Sequence, residues 1–303
     1  MKIGYPCINR SLGCTSSSTF RLRSYSPTRL VETIRQNLLC LRRVLEFNRE
    51  NGLLFFRVTS DLVPFASHPV CKVLWPEIFA AEFLNIGTFI KSNAMRISMH
   101  PDQFTLINSP DADIFKRSAA ELNYHAQVLE LLELDLTAKI QIHGGGIYND
   151  KAGSLDRFCS RFEQLEQPVR RRLVVENDDR HYSIADCLQI SRRTGIPVLF
   201  DAFHHQLNSK GEDLATALNG AATTWKKNDG LPMVDYSSQK KGKRSGSHSE
   251  SIDLKDFARF IADAGGLDFD IMLEIKDKEK SALRARRFLV KIDRIQEPRP
   301  NSR

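Results

Sequence analysis

Six apolar runs in this chain stop on an imidazole or a carboxylate. His100 ends "MRISMH", His143 ends "KIQIH", Glu176 ends "RLVVE", Asp201 ends "PVLFD", Asp235 ends "LPMVD" and Glu274 ends "FDIMLE". His204 and His205 follow Asp201 closely, His68 lies in "FASHP" and His248 in "GSHSES". Of the eight histidines, only His125 and His181 fall clearly elsewhere. Taken singly, each residue has a bland account: a strand-end Asp or Glu caps the next helix, and a strand-end His is more often a hydrogen-bonded structural residue than a ligand. Gathered in one pocket, so many acids and imidazoles would repel one another or lie desolvated at considerable cost. Divalent cations remove that cost. Mixed imidazole and carboxylate donors suit Zn²⁺, Mn²⁺ or Fe²⁺ better than Mg²⁺ or Ca²⁺. A transition metal takes about three or four protein ligands. His68, His100, His143, Glu176, Asp201, His204, Asp235, His248 and Glu274 therefore provide for roughly two or three ions. Such a site clamps the attacking and leaving oxygens of a phosphoryl displacement and lowers the pKa of a bound water.

The elements that must position these residues alternate along the chain. Strands are expected at "KIGYP", "LLFFRVTS", "MRISMHP", "KIQIH", "RLVVEND", "PVLFDAFHH", "LPMVDYSS" and "FDIMLEIKDK". Between them, apolar residues at helical spacing predict helices over Pro27–Asn51, Ile78–Ser92, Ile114–Leu134, Leu155–Gln164, Ser183–Thr194, Asp213–Lys227, Asp253–Ala264 and Glu279–Ile292. Ser109 or Asp111 is the expected cap of the third helix, and Gly195 the stop of the fifth. Eight strand–helix units in one chain of 303 residues match a (β/α)₈ TIM barrel over 1–292, with 293–303 expected as a disordered tail. The strands read as near-continuous apolar runs, as they do when both faces of a sheet are covered. In a barrel, chemistry sits at the C-terminal ends of the strands. Gly144, Gly145 and Gly146, directly after His143, are read as keeping that end low enough for a large substrate to approach.

Composition narrows the class. The formal net charge of +7 is compatible with a polyanionic partner. Lys240, Lys241, Lys243 and Arg244 crowd one Gly/Ser loop, "SSQKKGKRSGSHSES", and "VRRRL" (169–173) is a second basic cluster. The six cysteines form no CxxC pair and are read as reduced thiols of a cytoplasmic, nucleoid-associated protein. No stretch has the length and apolarity of a membrane span, and "MKIGYPCINR" reads as a strand, not as a signal peptide.

Motif after motif, "KIGYPCIN", "MRISMHPDQFTLINSP", "IQIHGGGIYNDK", "VVENDD", "PVLFDAFHH", "DYSSQ" and "IMLEIKDKE" resemble the UV damage endonuclease family, in order over nearly all of 1–292. The family's barrel is similar to that of endonuclease IV. The resemblance implies an ATP-independent DNA repair endonuclease. It would nick double-stranded DNA immediately 5′ to cyclobutane dimers, 6-4 photoproducts and abasic sites, leaving a 3′-hydroxyl and a 5′-phosphate. It implies two to three divalent ions, Mn²⁺ first with Zn²⁺ or Mg²⁺ as alternatives, held by the same nine residues. Glu176 and Glu274 would be catalytic, and no obligate protein partner is implied. Some members carry histidine where Asp235 stands and lysine where Met233 stands, so one metal position is open to question here. Tyr5, Asn9, Gln103 and Phe104 fall on lesion-probing positions, the last two as an amide and a ring that fill the gap left by an extruded lesion. Lys276, on the face of Glu274, is placed to neutralise phosphate charge.

A metal-dependent sugar isomerase or epimerase also gathers Glu, Asp and His at barrel strand ends. It needs a small closed pocket and has no use for the basic loop. A purely structural metal cluster would be rich in cysteine. The candidate ligands here include none.

Overall fold

The computed structural model describes residues 1–295 and is a closed barrel of eight parallel strands in sequence order, β8 pairing back onto β1. The strands are β1 (Ile3–Pro6), β2 (Phe55–Val58), β3 (Arg96–Met99), β4 (Lys139–His143), β5 (Leu173–Glu176), β6 (Val198–Asp201), β7 (Met233–Tyr236) and β8 (Asp270–Leu273). Around them run α1 (Pro27–Glu50), α2 (Trp75–Ile78), α3 (Ala80–Ser92), α4 (Ala112–Leu131), α5 (Lys151–Phe162), α6 (Gln167–Arg170), α7 (Ile184–Thr194), α8 (Ala202–Asn208), α9 (Leu214–Ala222), α10 (Leu254–Asp263) and α11 (Glu279–Lys291). Local chemistry sets the helix ends. Asp111 accepts from the amides of Asp113 and Ile114 at the start of α4, and Ser183 and Asp186 form a capping box on α7. Gly195 closes α7 in the left-handed region at φ 77°.

The sixth strand is shorter than expected. It stops at Asp201, and "AFHH" is already α8. Asp201 caps that helix by accepting from the His204 amide at 2.6 Å. The capping preference of Asp prevails over the apolar run, and His204 is thereby placed one helical turn beyond the barrel.

Inside the barrel, Phe55, Val174, Leu199, Met233 and Met272 form a separate, fully buried apolar layer. Side chains on a strand repeat on one face every second residue. Two positions beyond these five stand Arg57, Glu176, Asp201, Asp235 and Glu274. The apolar layer is thus the floor of the site. Met233 is one of its members, with its side chain in the packed interior. Beneath the floor, Arg96 bridges Asp270 at 2.8 Å and the carbonyls of Asp229 and Leu231.

Several expectations are corrected here. In "VRRRL", Arg172 is buried and donates to the carbonyls of Leu134, Asp135 and Ala138, all ahead of β4, at the end of the barrel opposite the strand-end acids. Of the expected tail at 293–303, Arg294 is ordered and donates to the carbonyls of Gly265 and Leu267, and 296–303 lie outside the described residues. Among the described residues, no helix is long and apolar enough to cross a membrane. The cysteines are not all thiols, because Cys14 and Cys40 form a disulfide. It ties the long β1–α1 loop to α1, where the Asn37 amide also grips the Ser18 backbone and the carbonyls of Asp61 and Leu62. Cys14→Ser should lower stability by about 2–4 kcal/mol, the usual worth of a disulfide. Urea melts without reductant check this. Wild type in reductant should match the variant, and unchanged wild-type melts with and without reductant would rule the bond out.

Candidate metal centre

A continuous belt of polar contacts crosses the top of the barrel. Gln141 donates to Glu176 at 2.9 Å and to Asp235 at 2.8 Å. Arg57 donates to the same Asp235 oxygen at 2.6 Å and also to Glu274. Four strands and the first residue past a fifth contribute, and Arg57, Gln141, Glu176 and Asp235 are all buried. Neither Arg57 nor Gln141 was singled out from sequence. The available signal is that each is polar within an otherwise apolar run, and that Gln141 stands two residues before His143, on the same face.

Three histidines close around Glu176. His100 Nε2 lies 3.5 Å from Glu176 Oε2, His143 Nε2 3.9 Å from the same oxygen, and His204 Nδ1 3.4 Å from Oε1. His204 also lies 3.7 Å from Asp201 Oδ2. The ligand atoms of His100, His143 and Glu176 form one compact group, and those of Glu176, Asp201 and His204 another, each within 4.8 Å. Glu176 is common to both.

The electrostatics show what this donor set lacks. Burial opposes ionisation of Glu176, yet His143, His100 and His204 hold it well below the usual carboxylate range. Burial likewise opposes ionisation of Glu274, and Arg57 overrides it, bringing the group to about 2. Asp201 is pushed up to about 7 by burial, against the pull of His204, and Asp235 is raised by burial against the pull of Arg57. The pocket therefore holds more acid than its own cations neutralise. Asp201 Oδ2, Asp235 Oδ1, His100 Nδ1 and His143 Nδ1 are buried without hydrogen-bond partners. Unfilled donors beside surplus acid fit divalent cations, which supply charge and coordination together.

The remaining expected ligands are placed differently. His248 lines the same cleft, its Nδ1 2.7 Å from the Glu274 carbonyl oxygen. His68 is exposed, accepts from the Val70 amide at 3.0 Å, and belongs to neither ligand group. Its exposed loop after β2 does not carry it to Glu176. His205 is buried against Phe200, as a structural residue.

The ligands open onto a cleft of about 810 Å³ walled by Arg10, Arg57, His100, Gln103, Phe104, His143, His248, Glu274, Lys276 and Lys278, among others. Gln103 is exposed, and Phe104 stands on the lip with 72% of its surface in solvent. Lys276 reaches the rim, where its ammonium pairs with Glu250. The loop carrying Lys240, Lys241, Lys243 and Arg244 follows β7 and so lies at the strand-end face. The Gln239 amide buttresses it by donating to the carbonyls of Lys240, Lys243 and Arg244. Lys240 itself pairs with Glu250.

Tyr5 and Asn9 are corrected. Both are buried rather than exposed, Tyr5 donating to Asn48 at 2.7 Å and Asn9 to the Tyr5 hydroxyl at 2.8 Å, so that they brace the first loop. The reading of the three glycines is corrected too. A Cβ on Gly144 would lie 2.5 Å from the Tyr182 ring, one on Gly145 2.2 Å from Asn108 Oδ1, and one on Gly146 2.8 Å from the Tyr148 ring. Gly145 also has φ +90°. The glycines make room for protein, not for substrate.

Arg57→Met should cost the metal-free protein about 3–5 kcal/mol, because Asp235 and Glu274 are left without their cation. An unfolding free energy from urea melts within about 0.5 kcal/mol of wild type would show that the belt does not depend on it.

Comparison with known proteins places this geometry. Residues 1–302 match the UV-endonuclease UvdE family. The UV DNA damage endonuclease of Clostridium perfringens is 36% identical over 97% of this chain and 72% of its own length. The crystal structure of SacUVDE superposes with a TM-score of 0.93 at 43% identity, covering 97% of this chain and 100% of that one. Two more distant barrels share the fold alone. Endonuclease IV from Thermus thermophilus has 16% identity and a TM-score of 0.56, over 83% of this chain and 94% of its own. D-psicose 3-epimerase from Clostridium cellulolyticum has 14% and 0.51, over 80% and 84%.

Proposed function

Because this chain belongs to the UV-endonuclease UvdE family, we propose that it nicks double-stranded DNA immediately 5′ to a UV photoproduct and leaves a 3′-hydroxyl and a 5′-phosphate. The observation that carries this reading is an exposed Phe104 beside the ligand cluster, at the lip of an open cleft. A closed monosaccharide pocket has no use for a solvent-exposed ring. A photoproduct stacks poorly and costs less to extrude than a normal pair. Phe104 then stacks into the gap and Gln103 supplies an amide to the orphaned bases.

His100, His143, Glu176, Asp201 and His204 would hold divalent ions, with Asp235, His248 and Glu274 as further ligands. Mn²⁺ suits that donor mixture. Bound ions supply Lewis-acid charge and lower the pKa of water. The protein's own part is positional. Arg57 and Gln141 fix the carboxylates, the His204 amide orients Asp201, and the His248 ring is held by the Glu274 carbonyl. The basic loop tracks the backbone, with Lys241, Lys243 and Arg244 contacting phosphates. Cyclobutane dimers, 6-4 photoproducts and abasic sites are the proposed lesions.

A duplex with one cyclobutane dimer tests the reading. After chelation the nick should vanish, and Mn²⁺ should restore it beside the dimer and not in an undamaged control. Glu176→Gln should lower cutting by roughly a hundredfold or more while damaged-DNA binding persists. No nick with any divalent metal would sink the proposal. Replacing Lys240, Lys241 and Lys243 by Ala should weaken binding to damaged and undamaged DNA alike. The slope of log K against log salt should fall by about 1 for each phosphate that the loop no longer reaches. An unchanged slope would remove the loop from the interface.

A further inference from the structure

We propose that Lys278, with Arg10 beside it, binds the non-bridging oxygens of the scissile phosphodiester, an assignment that rests on the cleavage reading above. Four cationic side chains wall the cleft: Arg10, Arg57, Lys276 and Lys278. Arg57 is taken up by Asp235 and Glu274, and Lys276 by Glu250. Among the described residues, neither Lys278 nor Arg10 forms a side-chain salt bridge, and the Lys278 ammonium forms no hydrogen bond. Lys278 is half-buried in the cleft that holds His100, His143 and Glu274. A half-buried ammonium that makes no ion pair calls for an anion from outside.

The backbone points the same way. Lys278 has φ 56° and ψ −117°, a conformation that glycine adopts freely and other residues avoid. Cys7, which also lines the cleft, has φ 70°. Non-glycine residues held in such regions cluster where a ligand is clamped. The segment is braced from behind. Buried Glu279 accepts from the Arg10 amide at 2.9 Å and from the Ser11 hydroxyl at 2.7 Å, which fixes Arg10 to the strand-eight side of the cleft.

The step this supports is a hydrolysis. A water oxygen bonds to phosphorus, the bond from phosphorus to O3′ breaks, and the water's proton ends on O3′. Lys278 keeps its protons throughout and contributes charge and a hydrogen bond to the phosphoryl oxygens as negative charge concentrates there.

Lys278→Gly separates this role from a structural one, because glycine relieves the backbone while removing the ammonium. In the metal-loaded enzyme with a dimer-bearing duplex, single-turnover nicking should fall by roughly a hundredfold. DNA affinity should stay within about threefold, the scale of one phosphate contact, and the melting temperature should not fall. Added propylammonium should restore rate in proportion to its concentration, and tetramethylammonium, which has no N–H to donate, should not. Lys278→Gln carries the same rate comparison if the glycine variant does not fold. Nicking by either variant within about threefold of wild type overturns the assignment. So does a loss that the two ammonium salts restore equally or not at all. A wild-type enzyme that leaves the dimer duplex intact overturns the cleavage reading, and this one with it.

Discussion

The top of the barrel depends on one guanidinium. Arg57 sits between Asp235 and Glu274, and Gln141 carries the chain of contacts on to Glu176. Charges buried at this depth are stable only when each is paired and its remaining polar atoms are satisfied. The belt meets that condition in part. It leaves Asp235 Oδ1 and Asp201 Oδ2 without partners, beside histidines with unpartnered ring nitrogens. Arg57 therefore keeps the acids close together without neutralising them all. Such a surplus of acid beside unpartnered imidazoles is what a divalent cation could offset.

The belt has its place because of what lies beneath it. Phe55, Val174, Leu199, Met233 and Met272 close the barrel two residues earlier on five strands, as a fully buried apolar layer beneath the acids. The same period of two lifts five ionisable side chains to one level. Met233 belongs to the floor, and Asp235 above it is engaged from the side by Arg57. Here that region is filled by an apolar side chain and an ion pair.

Imidazoles and carboxylates line the cleft together with Arg10 of the first loop and Lys276 and Lys278 after β8, two segments that Glu279 joins. Phe104 stands on the lip between solvent and the ligand groups.

Sequence alone was enough to predict the eight strand–helix units, a cap at Ser109 or Asp111, the stop at Gly195, and the strand-end positions of His100, His143, Glu176, Asp201, Asp235 and Glu274. Those features are local. They follow from side-chain periodicity, capping chemistry and the direction of a strand, each legible within a dozen residues. Tertiary structure decided the rest. It paired Cys14 with Cys40, buried Tyr5 and Asn9 behind the first strand, left His68 in solvent, and packed Asn108, Tyr148 and Tyr182 over the three glycines. It also assembled Arg57, Gln141 and Asp235 from three strands far apart in the chain. Those contacts depend on how the barrel closes and at what register. Closure brings together residues whose separation in sequence carries no trace of their separation in space.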